Sequence, residues 1–191
     1  MTEGIKGCSL FCSAEGVFNF SRKRRILYLS SHERSLLAEE LRAQVRKCRQ
    51  NGVSLTHADS HRHAHEEWAI THVVIKVCKE EGIRFLRLAR NCGSDRKFYK
   101  RIYRQFLNCK LKKAGLSRTL YFGSVEDYGY LIAKEGLNDK TCSIEVMIHP
   151  GYDEEGMLVD RQSMVPLDEI MNTVKSPFDS ESFTGYRWDR R

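Results

Sequence analysis

The sequence predicts an α/β protein with a mainly parallel sheet. Segments of helical and of strand periodicity alternate along the chain, the pattern that strand–helix–strand units produce. The helical segments end at glycine signals, Asn51-Gly52, Gly82 and Gly115. Two polar motifs fall at the ends of predicted strands, where parallel folds gather their sites.

The first thirty residues are irregular, with short apolar pieces at Val17-Phe18 and Ile26-Leu27-Tyr28. Ser30 and Glu33 have capping-box spacing and open a helix whose apolar stripe is Leu37, Leu41, Val45 and Cys48. Residues 53–57 read as a strand. A second helix is expected over about 67–81, with Ile70, Val73, Val74 and Val77 inward, followed by a strand over 83–88. A basic helix comes next, with Phe98, Ile102, Phe106, Leu107 and Leu111 expected on its core side. Residues 119–122 form the next expected strand, 125–135 a helix, and 142–148 a strand stopped by Pro150-Gly151. A last helix is expected over 165–174. The whole is expected to be a single domain over 1–175, followed by a loosely held polar tail, 176–191.

The chain's 191 residues, 41% of them apolar, suffice for one substantial core. No apolar run is long enough to cross a bilayer, and the start lacks the charged-then-apolar pattern of a signal peptide. No membrane partner is therefore expected. Seven cysteines, an odd count with no C-x-x-C pair, fit a reduced cytoplasmic protein better than a disulfide scaffold. The net charge of +7 is concentrated at residues 22–25 and 96–113. Such clusters attract nucleic acid or acidic ligands. No recognised binding motif accompanies them, so nucleic acid is not an expected partner.

The chemistry-bearing residues cluster. Five of the seven histidines lie between residues 57 and 72, four of them in the run Thr56-His57-Ala58-Asp59-Ser60-His61-Arg62-His63-Ala64-His65. In an extended segment His57, Asp59, His61, His63 and His65 share one side. Imidazole and carboxylate converging there suit a divalent metal, or a ligand with the groups that orient it. The bland alternative is a surface tract that picks up metal adventitiously. The second motif is Glu145-Val146-Met147-Ile148-His149-Pro150-Gly151-Tyr152. A histidine ending a strand before a turn suits a general acid or base facing a cleft.

Together the two motifs resemble the paired signatures of the YdjC-like carbohydrate deacetylases. Thr2-Glu3-Gly4, Gly16-Val17-Phe18 and the 83–87 strand ending in Arg87 are similar to further family segments, and the resemblance runs from Thr2 to about Met171. It implies a distorted (β/α) barrel of the polysaccharide-deacetylase-like type. It also implies hydrolysis of N-acetyl groups from amino-sugar carbohydrates such as chitooligosaccharides, with Mg2+ or Zn2+. By the same resemblance His61 is a metal ligand and His149 the catalytic proton donor. His57, Asp59, His63, His65 and Arg87 support the metal or contact the sugar; for Arg87 an ordinary surface position is the equal alternative.

The family pattern also has an Asp-Asp-Phe-Gly motif, supplying the catalytic base and one ligand, and a histidine ahead of Thr-Glu-Gly. Neither is in this chain, so the barrel is expected to be incomplete at the N-terminus. A sheet edge would be open to a second chain, a homodimer among the possibilities. Glu66-Glu67-Trp68 replaces the family's apolar residue and proline. Catalysis by this chain alone is therefore open, and a non-catalytic metal-binding or interaction protein of the same descent is the alternative.

Overall fold

The computed structural model describes residues 1–19, 26–92, 98–135 and 143–175. The basic residues 22–25 and 96–97, Cys142 and the tail from 176 lie outside the described residues. Two compact units are present, Met1–Ala89 with Lys97–Arg118, and Arg90–Arg96 with Thr119–Arg191.

In the first unit, α1 (Glu3–Lys6) and α2 (Ser31–Gln50) are tied together. Ile5 is fully buried, and the Thr2 backbone N–H donates to the buried Glu40 at 2.5 Å. Burial pushes the Glu40 carboxyl up, but hydrogen bonds from Gln44 and Thr2 outweigh it and hold the group below its ordinary range. A Cβ on Gly4 would lie 2.8 Å from Leu36 Cδ2, so the bare backbone lets α1 approach α2. The expected capping box is present. Ser30 N donates to Glu33 Oε2 at 2.7 Å and Glu33 N to Ser30 Oγ at 3.2 Å.

Strand β1 is only His57–Ala58, and residues 53–56 of the expected strand are not in a ladder. The histidine run then turns rather than extends, through a 3-10 segment at His61–Glu66. Helix α3 (Trp68–Glu80) buries Ile70, Val73, Val74 and Val77 as expected and packs on α2. Strand β2 (Phe85–Leu86), shorter than expected, pairs in parallel with β1 and bridges to Ser117 on its other side.

Helix α4 (Phe98–Lys113) corrects the reading of the basic helix. Only Leu107 and Leu111 are buried on it, while Phe98 and Phe106 are exposed. Its core face is fixed by polar bonds that spacing alone does not show. Asn108 donates to Ala89 O and accepts from Ala89 N, each at 2.9 Å, and Tyr103 donates to Glu66 O at 2.8 Å.

In the second unit, β3 (Tyr121–Ser124) runs parallel to β4 (Ile144–Met147), and α5 (Val125–Glu135) follows β3 directly. Asp127 accepts from Ser124 N at 2.9 Å and pairs with the Arg90 guanidinium, which anchors the start of α5. Pro150-Gly151 was expected to end a strand. That strand does end before it, at Met147, and a separate strand that the sequence reading lacks, β5 (Pro150–Tyr152), then pairs antiparallel with β6 (Leu158–Asp160). Proline is tolerated there because an edge position does not need its N–H. Helix α6 (Leu167–Lys175) closes the described chain.

The α/β class with parallel pairing therefore stands. Among the described residues the strands form three two-stranded pairs and no closed barrel. The six described cysteines are free, and no described helix is long and apolar enough to cross a membrane.

Candidate functional site

The end of β1 and the residue after β2 bring Asp59 and Arg87 together. Arg87 N donates to Ala58 O at 3.2 Å, so the parallel pairing itself sets the arginine beside the carboxylate. Arg87 Nε lies 2.6 Å from Asp59 Oδ1, an electrostatic contact rather than an aligned hydrogen bond. The surface-arginine alternative is excluded, since Arg87 is buried.

The turn at 61–66 depends on left-handed backbone at Arg62 (φ 51°) and His63 (φ 57°), a region that residues with a Cβ rarely occupy. It swings His63 onto the arginine, with Arg87 Nη2 2.9 Å from His63 Nδ1. The same Nδ1 is 3.1 Å from Glu66 Oε1. Neutral His63 accepts from Arg87 at that nitrogen; protonated His63 faces Glu66 with it. Burial pushes the Glu66 carboxyl up, but the hydrogen bond from His63, with the charges of His63, His65 and Arg104, holds it below its ordinary range.

His65 points inward and is 3% exposed. Its backbone N–H donates to Ser60 Oγ at 2.9 Å, and the Ser60 hydroxyl lies 2.6 Å from its Nδ1. Taking that hydroxyl as the donor places the ring proton on Nε2, which is buried and makes no hydrogen bond. Burial, reinforced by the Arg87 charge, pushes the His65 pKa down to about 4, so the ring is neutral near pH 7. His57 stacks on Phe85, with ring centroids 5.2 Å apart, and burial pushes its pKa down.

The structure thus gathers Asp59, His63, His65 and Arg87, though not along one side of an extended segment. His61, the expected metal ligand, is exposed at the start of the turn. His149 lies in the second unit, half-exposed. Its backbone N–H donates to buried Asp160 at 2.5 Å, and its Nδ1 is 3.7 Å from the same oxygen. Asp160 also accepts from Ser163 N and Oγ, at 2.9 and 2.8 Å, and the bonds from His149 and Ser163 outweigh burial to keep its carboxyl below the ordinary range. Gly151 passes beneath the Arg161 side chain, whose stem a Cβ would overlap. Ser60, Glu66 and Asp160 carry as much of this geometry as the histidines do. Of these only Glu66 stands out in the sequence, as a departure from the family pattern.

These donors do not fit a divalent metal as they are placed. Asp59 is taken by Arg87 and His65 Nδ1 by Ser60, and no three histidine, cysteine or acidic side chains among the described residues form a set that would hold an ion. The first unit provides a charged network beside a strand end, and the second, by itself, a half-exposed imidazole with a carboxylate 3.7 Å away.

Comparison with known proteins adds an independent line. A family model described as YdjC-like protein matches residues 3–184. A carbohydrate deacetylase of Oceanobacillus iheyensis is 30% identical over 119 residues, 62% of this chain and 45% of that protein. A carbohydrate deacetylase of Brevibacillus brevis is 30% identical over 122 residues, 64% of this chain and 46% of that protein. The chain thus spans about half the length of the curated relatives it matches. No solved structure matches.

Proposed function

Because the chain belongs to the YdjC-like family, we propose that it serves as a carbohydrate deacetylase, hydrolysing N-acetyl groups of amino-sugar carbohydrates such as chitooligosaccharides. The single observation that supports this most strongly is the family match over nearly the whole chain, joined by two relatives that are named carbohydrate deacetylases. The distorted (β/α) barrel and the cytoplasmic location belong to this reading as expectations. So does a requirement for Mg2+ or Zn2+ with His61 as one donor, a set that the described residues do not complete by themselves.

The chemistry asked of this chain's own residues is limited and specific. Amide hydrolysis forms a bond from water oxygen to the acetyl carbon and breaks the carbon–nitrogen bond, and the leaving amine must take up a proton. His149 is the donor in this reading. The Asp160 carboxylate holds its backbone N–H and lies 3.7 Å from its Nδ1, and its half-exposed position lets the ring reach a substrate. In the first unit Arg87 and Asp59 hold the histidine turn in place, and the part-exposed His63 is the ring there that a sugar hydroxyl can reach.

The test is acetate release from N-acetylated chitooligosaccharides with added Mg2+ or Zn2+, comparing the chain with His61→Ala. Metal-stimulated release that is lost in the variant is the expected result. No release from either protein, with both folded, would sink the catalytic reading and favour a non-catalytic metal-binding or interaction protein of this family.

A further inference from the structure

Helix α4 has two apolar faces, and only one meets the core. Leu107 and Leu111 are turned inward. On the outer side the exposed Phe98, Phe106 and Cys109 and the half-buried Ile102 between them lie at steps of four, four and three residues, a single line along a helix. Phe98, Phe106 and the neighbouring Tyr99 are 66%, 63% and 64% exposed, and Cys109 is exposed. Three large aromatic side chains on one helix face are far more than the scattered apolar exposure of an ordinary surface.

The charge around this line is of one sign. Residues 98–113 contain Lys100, Arg101, Arg104, Lys110, Lys112 and Lys113 and no acidic residue. Two of these cations turn inward. Arg104 approaches Glu66 at 4.0 Å, and Lys110 sits 4.2 Å over the Trp68 ring. Arg101, Lys112 and Lys113 remain exposed along the outer line, Arg101 over the Phe98 ring.

We propose that this outer face of α4 binds an anionic lipid surface, laying Phe98, Ile102 and Phe106 into the headgroup boundary with Arg101, Lys112 and Lys113 on the lipid phosphates and carboxylates. The pattern of an apolar centre flanked by cations is that of an interfacial helix. A nucleic-acid surface would want the cations at the centre of the contact. A second copy of the same face would oppose like charges with no acid to relieve them. The attachment is peripheral, since the helix is too short and too charged to span. It is separate from the deacetylase reading and survives or falls without it.

The experiment is co-sedimentation of the full chain with phosphatidylcholine vesicles, with and without phosphatidylserine. The variants are the pairs Phe98→Ser with Phe106→Ser and Lys112→Gln with Lys113→Gln. All four positions are exposed, and matched far-UV circular dichroism confirms that the variants keep the fold. The expected result is binding only to the phosphatidylserine vesicles, weakened by salt and reduced roughly tenfold or more in each variant pair. Three results would each overturn the proposal: no binding to phosphatidylserine vesicles, equal binding by the variants, or capture of a single-stranded oligonucleotide without capture of vesicles.

Discussion

Arg87 and Asp59 form an ion pair whose partners are buried unequally, with the arginine side chain 3% exposed and the aspartate 47%. Removing either partner therefore has different consequences. Loss of Asp59 takes the carboxylate from a buried cation that keeps its contact with His63, whereas loss of Arg87 leaves a carboxylate that water can reach. Asp59→Asn is expected to lower stability by about 2 kcal/mol, the loss of one charged partner of a buried group that keeps others. Arg87→Met, which keeps much of the buried stem, should cost clearly less. Urea midpoints of the two variants check this order, and a larger loss in Arg87→Met would contradict it.

His65 makes stability depend on pH in a defined window. Its folded pKa, about 4, lies below the ordinary histidine value of about 6.5. The unfolded chain therefore binds the proton more readily than the folded one. The stability from the neutral buried ring is complete above about pH 6.5 and is lost as pH falls from there toward 4, by about 3 kcal/mol in all. Glu66 and Asp160, with depressed carboxyls, act in the same direction but at lower pH. In a urea titration across pH 4–7, His65→Gln should flatten the upper part of the profile and leave the acid limb in place.

Asn108 clamps the backbone of Ala89 through a donor and an acceptor at once. Asn108→Ala leaves both Ala89 groups without those partners, and the cost is expected to be about 2 kcal/mol. Amide exchange at Ala89 should quicken with it. A variant that kept wild-type protection at Ala89 would show that the clamp is dispensable.

Ser30→Ala removes one half of the capping box, a loss of about 1 kcal/mol that a urea midpoint reads directly. The capping pattern is legible in the sequence, as are the spans of α3 and α5, because helix caps and 3.6-residue periodicity are local signals. The histidine run is legible as composition and not as shape. Alternating spacing suggests an extended segment, but the bonds of Ser60 to His65 and of Arg87 to His63 hold a turn there, with left-handed backbone at Arg62 and His63. Arg87 lies 24 residues beyond His63, so no short window of sequence contains the information. The same holds for α4, where Phe98 and Phe106 share a stripe with Leu107 and Leu111 in the sequence. Asn108 and Tyr103, bonded to Ala89 and Glu66, fix which side turns inward. The β5–β6 hairpin escapes a sequence reading because Pro150 reads as a stop.

The most direct test of the functional account is acetate release from N-acetylated chitooligosaccharides by the chain and its His149→Ala variant, with divalent metal added and folding matched by circular dichroism. The account predicts release by the chain and a loss of about 100-fold or more in the variant, the contribution of a positioned proton donor. Equal release by the two proteins would contradict the assignment of His149, and release by neither would contradict the deacetylase reading of this chain.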